Sequence, residues 1–316
     1  MVSSELIFGA AFFFQCAIGF VGNSLLFMLY VFISFKKPQQ KKPMDLILAH
    51  LTLANMVTLF TRGIPEIMFC FGMRHFLDDL GCKALMYIYR VSRGVSVCTT
   101  SLLSMFQALI ISPYNSVWAS IKVGAPKYIL HYFLFFWITN ALIYIRVIEA
   151  TEARKNYTVS TYGYISHIYI VRVKENDSQF TLPFTLGIIF HDLIFHFLMG
   201  LSSTRMVFLL YRHRKQVQHI YSSSYSAKTF PEVKATQTIL LLVTCFVLFY
   251  WLNNSIILYQ IFTLAKDAQY DTIASFFCVC FPALCPLLLI GSENRIPKPH
   301  CVPGETQRSH KAFRDG

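Results

Sequence analysis

Seven runs of apolar residues, each long enough to cross a lipid bilayer, constrain this chain more than any motif in it. They fall at about 6 to 33, 44 to 70, 80 to 111, 128 to 149, 181 to 211, 235 to 262 and 270 to 291. A membrane helix needs about 20 mostly apolar residues, and backbone immersed in lipid must satisfy its own hydrogen bonds, which uninterrupted runs do as helices. Composition agrees with this: 55% of the 316 residues are hydrophobic and 14% are charged, with a mean hydropathy of +0.49. An ordinary soluble domain carries about 25% charge, so a soluble or disordered chain is excluded. Once the spans are placed, only short loops and tails remain. The fold expected is therefore all-α, a seven-helix transmembrane bundle over residues 1–291 with a tail at 292–316. The first run has no Lys or Arg before it and exceeds the roughly 7 to 15 apolar residues of a cleavable leader, so it is expected to stay as a helix.

The basic residues set the orientation. Of the 28 Lys and Arg, 16 fall in alternate connections: the SFKKPQQKKP loop, 112–127, 212–234 and the tail. The opposite connections hold 7. Cations accumulate on the cytoplasmic side, which places the amino terminus outside, the carboxyl terminus inside and the chain as a multi-pass protein of the plasma membrane. The net charge of +12 is then a matter of topology and of attraction to acidic lipid, and nucleic acid is not expected as a partner. Two glycan acceptors, Asn156-Tyr-Thr and Asn176-Asp-Ser, fall in the loop from 150 to 180 that the charges place outside, the face on which such acceptors are modified. A third match at Asn253 lies within the sixth span and is discounted.

No nucleotide loop, HExxH, GxSxG or paired carboxylates on one helix face stand out, so no catalytic residue, metal or cofactor is expected. The nine cysteines lie mostly within spans, where they act as small apolar residues. Ionisable groups inside the spans are more telling, because charge at bilayer depth costs several kcal/mol unless paired or hydrated. Arg62 and Glu66, four apart, share a helix face and can form a structural pair. Arg93 and Asp192 each lie about 11 residues inside their spans, roughly 16 Å deep at 1.5 Å per residue, where they can face each other. With Tyr89, Arg90, His191, Asn253, Asn254 and Tyr259 they form either a small-molecule pocket open to the outside or a set of interhelical hydrogen bonds that holds the bundle. The absence of an internal repeat weighs against the alternative of a small-solute transporter.

Four strings carry a resemblance. FLDDLGCKALMYIYRVSRGVSVCTT at 76–100, LLSMFQALIISP at 102–113, RHRKQVQHI at 212–220 and PEVKATQTILLLVTCFVLFYW at 231–251 closely resemble vomeronasal type-1 receptors, a branch of the G-protein-coupled receptors. Gly22-Asn23 and LTLANM are similar to rhodopsin-type helices, whereas Asn55 stands where their sodium-site Asp would be. The third span ends without a DRY-like triplet, and the seventh keeps Pro286 without the rest of NPxxY. The resemblance implies detection of pheromone-like small molecules and signalling through an inhibitory-type heterotrimeric G protein. It also implies that Arg212, Arg214, Lys215 and Lys234 face that partner, although topology and lipid attraction account for the same cations. In such receptors the cysteine matching Cys82 bonds to the second outer loop. Ile165 occupies the partner's place here, so Cys82 is expected to remain a thiol, with Cys70 as the other candidate partner. An impaired receptor is a second alternative that this exchange raises.

Overall fold

The computed structural model describes residues 2–36, 42–73, 77–113, 124–153, 163–165, 169–172, 178–220, 231–263 and 268–292. Among them are seven long helices in the places the apolar runs predict: α1 (Val2–Lys36), α2 (Pro43–Cys70), α3 (Asp79–Ile110), α4 (Ala125–Ala150), α5 (Ser178–Ile220), α6 (Pro231–Thr263) and α7 (Ala268–Ser292). The helices follow the all-α expectation. The connection between α4 and α5 adds a small antiparallel sheet of β1 (Thr151–Ala153), β2 (Gly163–Ile165) and β3 (Tyr169–Arg172), with β3 in the middle. Ile165 pairs with Ile170 of β3 in that sheet. The acceptors Asn156 and Asn176, and the tail beyond Ser292, lie outside the described residues.

Six of the helices are long and apolar enough to span a membrane; α3, at 32 residues, is long enough but too polar by composition. Its position accounts for this. α3 packs against α2, α4, α5, α6 and β1, so its Ser92, Ser96, Thr99, Thr100, Ser101 and Ser104 are buried in protein rather than turned to lipid. Most of these hydroxyls donate back to carbonyls one turn earlier, as Thr99 does to Val95 and Thr100 to Ser96. A shared apolar core around Leu26, Leu51, Leu103, Met206, Leu242 and Phe281 joins the helices. α5 differs, with Phe190, Phe197, Leu201 and Phe208 exposed along one side, as a lipid-facing helix requires.

Two polar pins fix the helices to one another. Pro286 has no N–H to give the carbonyl of Pro282 one turn back, and Asn23 of α1 fills that vacancy, donating to Pro282 O at 2.8 Å. The contact depends on close approach: a Cβ at Gly19 or Gly22 would meet Ala283 or Pro286 at under 3.0 Å. The second pin is His50 of α2, stacked on Phe133 at 3.9 Å between ring centres. Trp137 Nε1 donates to its Nε2 at 3.0 Å, which leaves the proton on Nδ1 to donate to Thr99 Oγ1 at 2.9 Å.

Within α2, residues Leu59–Gly63 form one wide π turn. Such turns use i→i+5 bonding and often mark functional positions. Widening the turn shifts the residues after it around the helix, and Arg62 lies within it.

Candidate functional site

Arg93 of α3 and Asp192 of α5 meet the same side chain, Tyr250 of α6. The guanidinium carbon of Arg93 sits 4.6 Å from the centre of the Tyr250 ring, within cation–π range. The hydroxyl of that tyrosine donates to the Asp192 carboxylate. His191 Nδ1 lies 3.1 Å from the other carboxylate oxygen. Arg93 further donates to Asn254 Oδ1 and to Tyr89 Oη, each at 3.3 Å. The two charges that the spans place at equal depth are thus connected through an aromatic ring, and each has further polar partners of its own. Such spreading is what a buried charge needs when no direct ion pair is made.

Beside this network a cleft opens between α2, α3, α6 and α7. Its walls are mainly aromatic, from Phe246, Phe249, Tyr250, Phe277 and Phe281, with Arg93 reaching in from α3. Asn253 also lines it. That side chain is 2% exposed, yet neither its amide nitrogen nor its oxygen has a hydrogen-bond partner. A buried amide left unmade costs about 1 to 3 kcal/mol, and it presents one acceptor and two donors to whatever occupies the space. A concave, apolar pocket with a few aimed polar groups has the form of a small-molecule site.

The remaining candidates divide between this pocket and its surroundings. Tyr89 bridges Arg93 to Cys278 Sγ, 2.8 Å away on α7, and Arg90 lies with its guanidinium carbon 5.9 Å from the Tyr89 ring centre. His191 turns away from the cavity, its Nε2 3.8 Å from Cys98 Sγ. Asp192 likewise stands behind Tyr250, so α5 lines no part of the cavity. Tyr259 is further along α6, half-exposed and packed on Tyr270 at 5.3 Å. Cys82 and Cys70 are thiols, Cys82 buried against Met86 and Tyr89.

Arg62 takes a partner across the bundle rather than along its own helix. It lies 3.6 Å from Asp271 of α7 and donates to Ser275 Oγ at 2.5 Å. Glu66, the partner expected four residues on, receives no hydrogen bond at either carboxylate oxygen. The π turn accounts for the difference, since it removes the regular stacking on which an i, i+4 pair depends.

At the opposite end, side-chain hydrogen bonds hold α3 and the residues just after it to its neighbours. Gln107 donates to Thr236 of α6 at 2.7 Å, Ser104 and Ser202 of α5 lie 2.7 Å apart, and Arg205 of α5 donates to Ser112 at 3.0 Å. RHRKQVQHI continues α5 to Ile220 without a break, with Arg212 and Lys215 exposed and Arg214 in the same turn. Lys234 lies in the first turn of α6. Among the described residues no group of three or more His, Cys, Asp or Glu could hold a metal ion.

The residues that sequence reasoning missed are Tyr250, the four phenylalanines, Asp271 and Ser275. The aromatic ones were present in plain view in CFVLFYW and SFFCVCF, but in a membrane helix such residues are also ordinary lipid-facing ones.

The whole chain has clear relatives. A model of the vomeronasal organ pheromone receptor family matches residues 6–301. Vomeronasal type-1 receptor 3 of Homo sapiens is 35% identical over 306 residues, covering 94% of each chain. Vomeronasal type-1 receptor 2 of Homo sapiens is 36% identical over 310 residues, which is 96% of this chain and 75% of that one. Olfactory receptor class A-like protein 1 of Danio rerio is 31% identical over 302 residues, 95% of this chain and 94% of the relative.

Proposed function

The chain belongs to the vomeronasal type-1 receptor family, and we propose that it binds a small pheromone-like molecule in the aromatic cavity and signals through a heterotrimeric G protein of the inhibitory type. Membership makes it a multi-pass membrane receptor of a chemosensory kind. The single observation that supports the ligand site best is Asn253, whose unpartnered amide lines an aromatic pocket. A ligand with an apolar body fills the space between Phe246, Phe249, Phe277 and Phe281, and one hydroxyl or carbonyl meets the amide. Arg93, held over Tyr250, sets the polar edge.

In this reading the amino terminus and the sheet face outward at the plasma membrane, and the basic turns of α5 and α6 face the cytoplasm. The side chains of Arg212, Arg214, Lys215 and Lys234 meet the G protein there. Parting of α5 and α6 from α3 breaks the Gln107–Thr236, Ser104–Ser202 and Arg205–Ser112 contacts. A ligand favours the parted state by as much as its affinity for that state exceeds its affinity for the joined one.

The test is a screen of small apolar molecules on membranes that hold the full chain and an inhibitory G protein, read as nucleotide exchange. Ligand-dependent exchange that is lost in Arg93→Ala supports the proposal. Uptake of a solute without exchange points to transport instead, and a dose-response unchanged in Arg93→Ala and Asn253→Ala removes the pocket.

A further inference from the structure

The cluster between α2 and α7 holds two carboxyl groups and one guanidinium. Arg62 and Asp271 form an ion pair at 3.6 Å, and Glu66 is the third charged member. Its side chain is 1% exposed, and neither oxygen is hydrogen-bonded. The charged groups that act on it are Arg62 and Asp271. Ser275, its polar neighbour, accepts the Arg62 hydrogen bond and keeps its own O–H for Glu66. Glu66 and Asp271 thus share the single guanidinium of Arg62, and an undercompensated buried charge is among the costliest features a fold can carry.

We infer that the Glu66 cluster between α2 and α7 binds a small monovalent cation, either a sodium ion or the ammonium head of an amine. The donor set is all oxygen, from the carboxylates of Glu66 and Asp271 and the hydroxyl of Ser275, which suits a hard cation. A single positive charge brings the cluster to neutrality, whereas a divalent ion would overshoot it. A separate cleft, lined by Arg62, Pro65, Cys82, Met86 and Tyr89, meets the cluster at Arg62 on the α3 side. The π turn that diverts Arg62 toward α7 is what leaves Glu66 over. This site is distinct from the aromatic cavity and does not depend on the signalling proposed above.

The experiment uses the purified full-length chain and needs no pheromone. Thermal unfolding is followed in sodium chloride, methylammonium chloride and N-methylglucamine chloride at one ionic strength. Sodium is expected to raise the melting temperature of the wild type by about 3 °C over N-methylglucamine and to leave Glu66→Gln unmoved. A rise with methylammonium and none with sodium assigns the site to an amine head. Equal melting in all three salts, or an equal sodium shift in Glu66→Gln, overturns the inference and leaves Glu66 holding a proton. Should Glu66→Gln fail to fold, Asp271→Asn must lose the shift as well. Sodium-23 line broadening on the wild type, competed by methylammonium, then reports the site directly, and its absence overturns the inference equally.

Discussion

Arg93 with Asp192, and Arg62 with Glu66 and Asp271, are two ways of burying charge in one bundle. In the first, one positive and one negative group are separated by the Tyr250 ring, and each is supplied with further polar partners, His191 on one side and Tyr89 and Asn254 on the other. In the second, an ion pair forms directly and a further carboxylate is left without a hydrogen bond. The difference shows that neutrality and hydrogen bonding are separate requirements. The α3–α5–α6 network meets both and leaves its unmet polar group, the Asn253 amide, in the neighbouring cavity. The α2–α7 cluster has one guanidinium for two carboxyl groups and leaves Glu66 without a hydrogen bond.

Removing one charge from the balanced network should have the largest effect. Asp192→Ala leaves Arg93 buried without its opposite charge, and a loss of about 3 kcal/mol is expected, read as a lowered melting temperature of the purified receptor. Arg93→Ala with Asp192→Ala should cost less than the sum of the two by at least about 1 kcal/mol. Additive losses would mean the two groups are independent and the comparison is misplaced.

Ser275→Ala probes the second cluster at its neutral member. It removes the acceptor of a charge-assisted hydrogen bond, for which a loss of about 1.5 kcal/mol is expected. A loss as great as that of Asp192→Ala would show that the cluster depends on the hydroxyl as much as on its charges.

Asn253→Leu should act in the opposite direction, and by less. Replacing an unsatisfied buried amide with an apolar side chain of similar size is expected to stabilise the receptor by about 1 kcal/mol, while the ligand response weakens about tenfold, or roughly 1.4 kcal/mol of binding. A variant that melts lower than the wild type would mean that the amide has structural partners and is not held open for a ligand.

Much of the frame was legible beforehand. The third run, expected at 80 to 111, is α3 at Asp79–Ile110, because span length is fixed by the bilayer and written directly in hydropathy. Arg93 and Asp192 could be set at similar depth for the same reason. Their connection through Tyr250 could not, because depth along a helix says nothing about which ring of a third helix lies between. Arg62 shows a different limit. The i, i+4 rule assumes an unbroken helix, and the π turn at Leu59–Gly63 has no sequence mark that separates it from ordinary apolar helix. The small sheet was hidden by scale, since strands of three or four residues are too short for a period to show.

A helix sheathed by protein on nearly every side is also a helix that lipid alone does not hold. Buried serines and threonines, with Arg90 and Arg93, make α3 a poor candidate for insertion when it first leaves the ribosome, because each cation near a span centre opposes entry by about 2.5 to 3.5 kcal/mol. Its place in the membrane therefore has to be secured by neighbours during synthesis. Carried alone in a reporter, α3 is expected to pass through the membrane, and with α1 and α2 before it and α4 and α5 behind, to be retained; glycan tags at its two ends distinguish the outcomes. The most central helix of the mature bundle is then the one whose arrival depends most on the others.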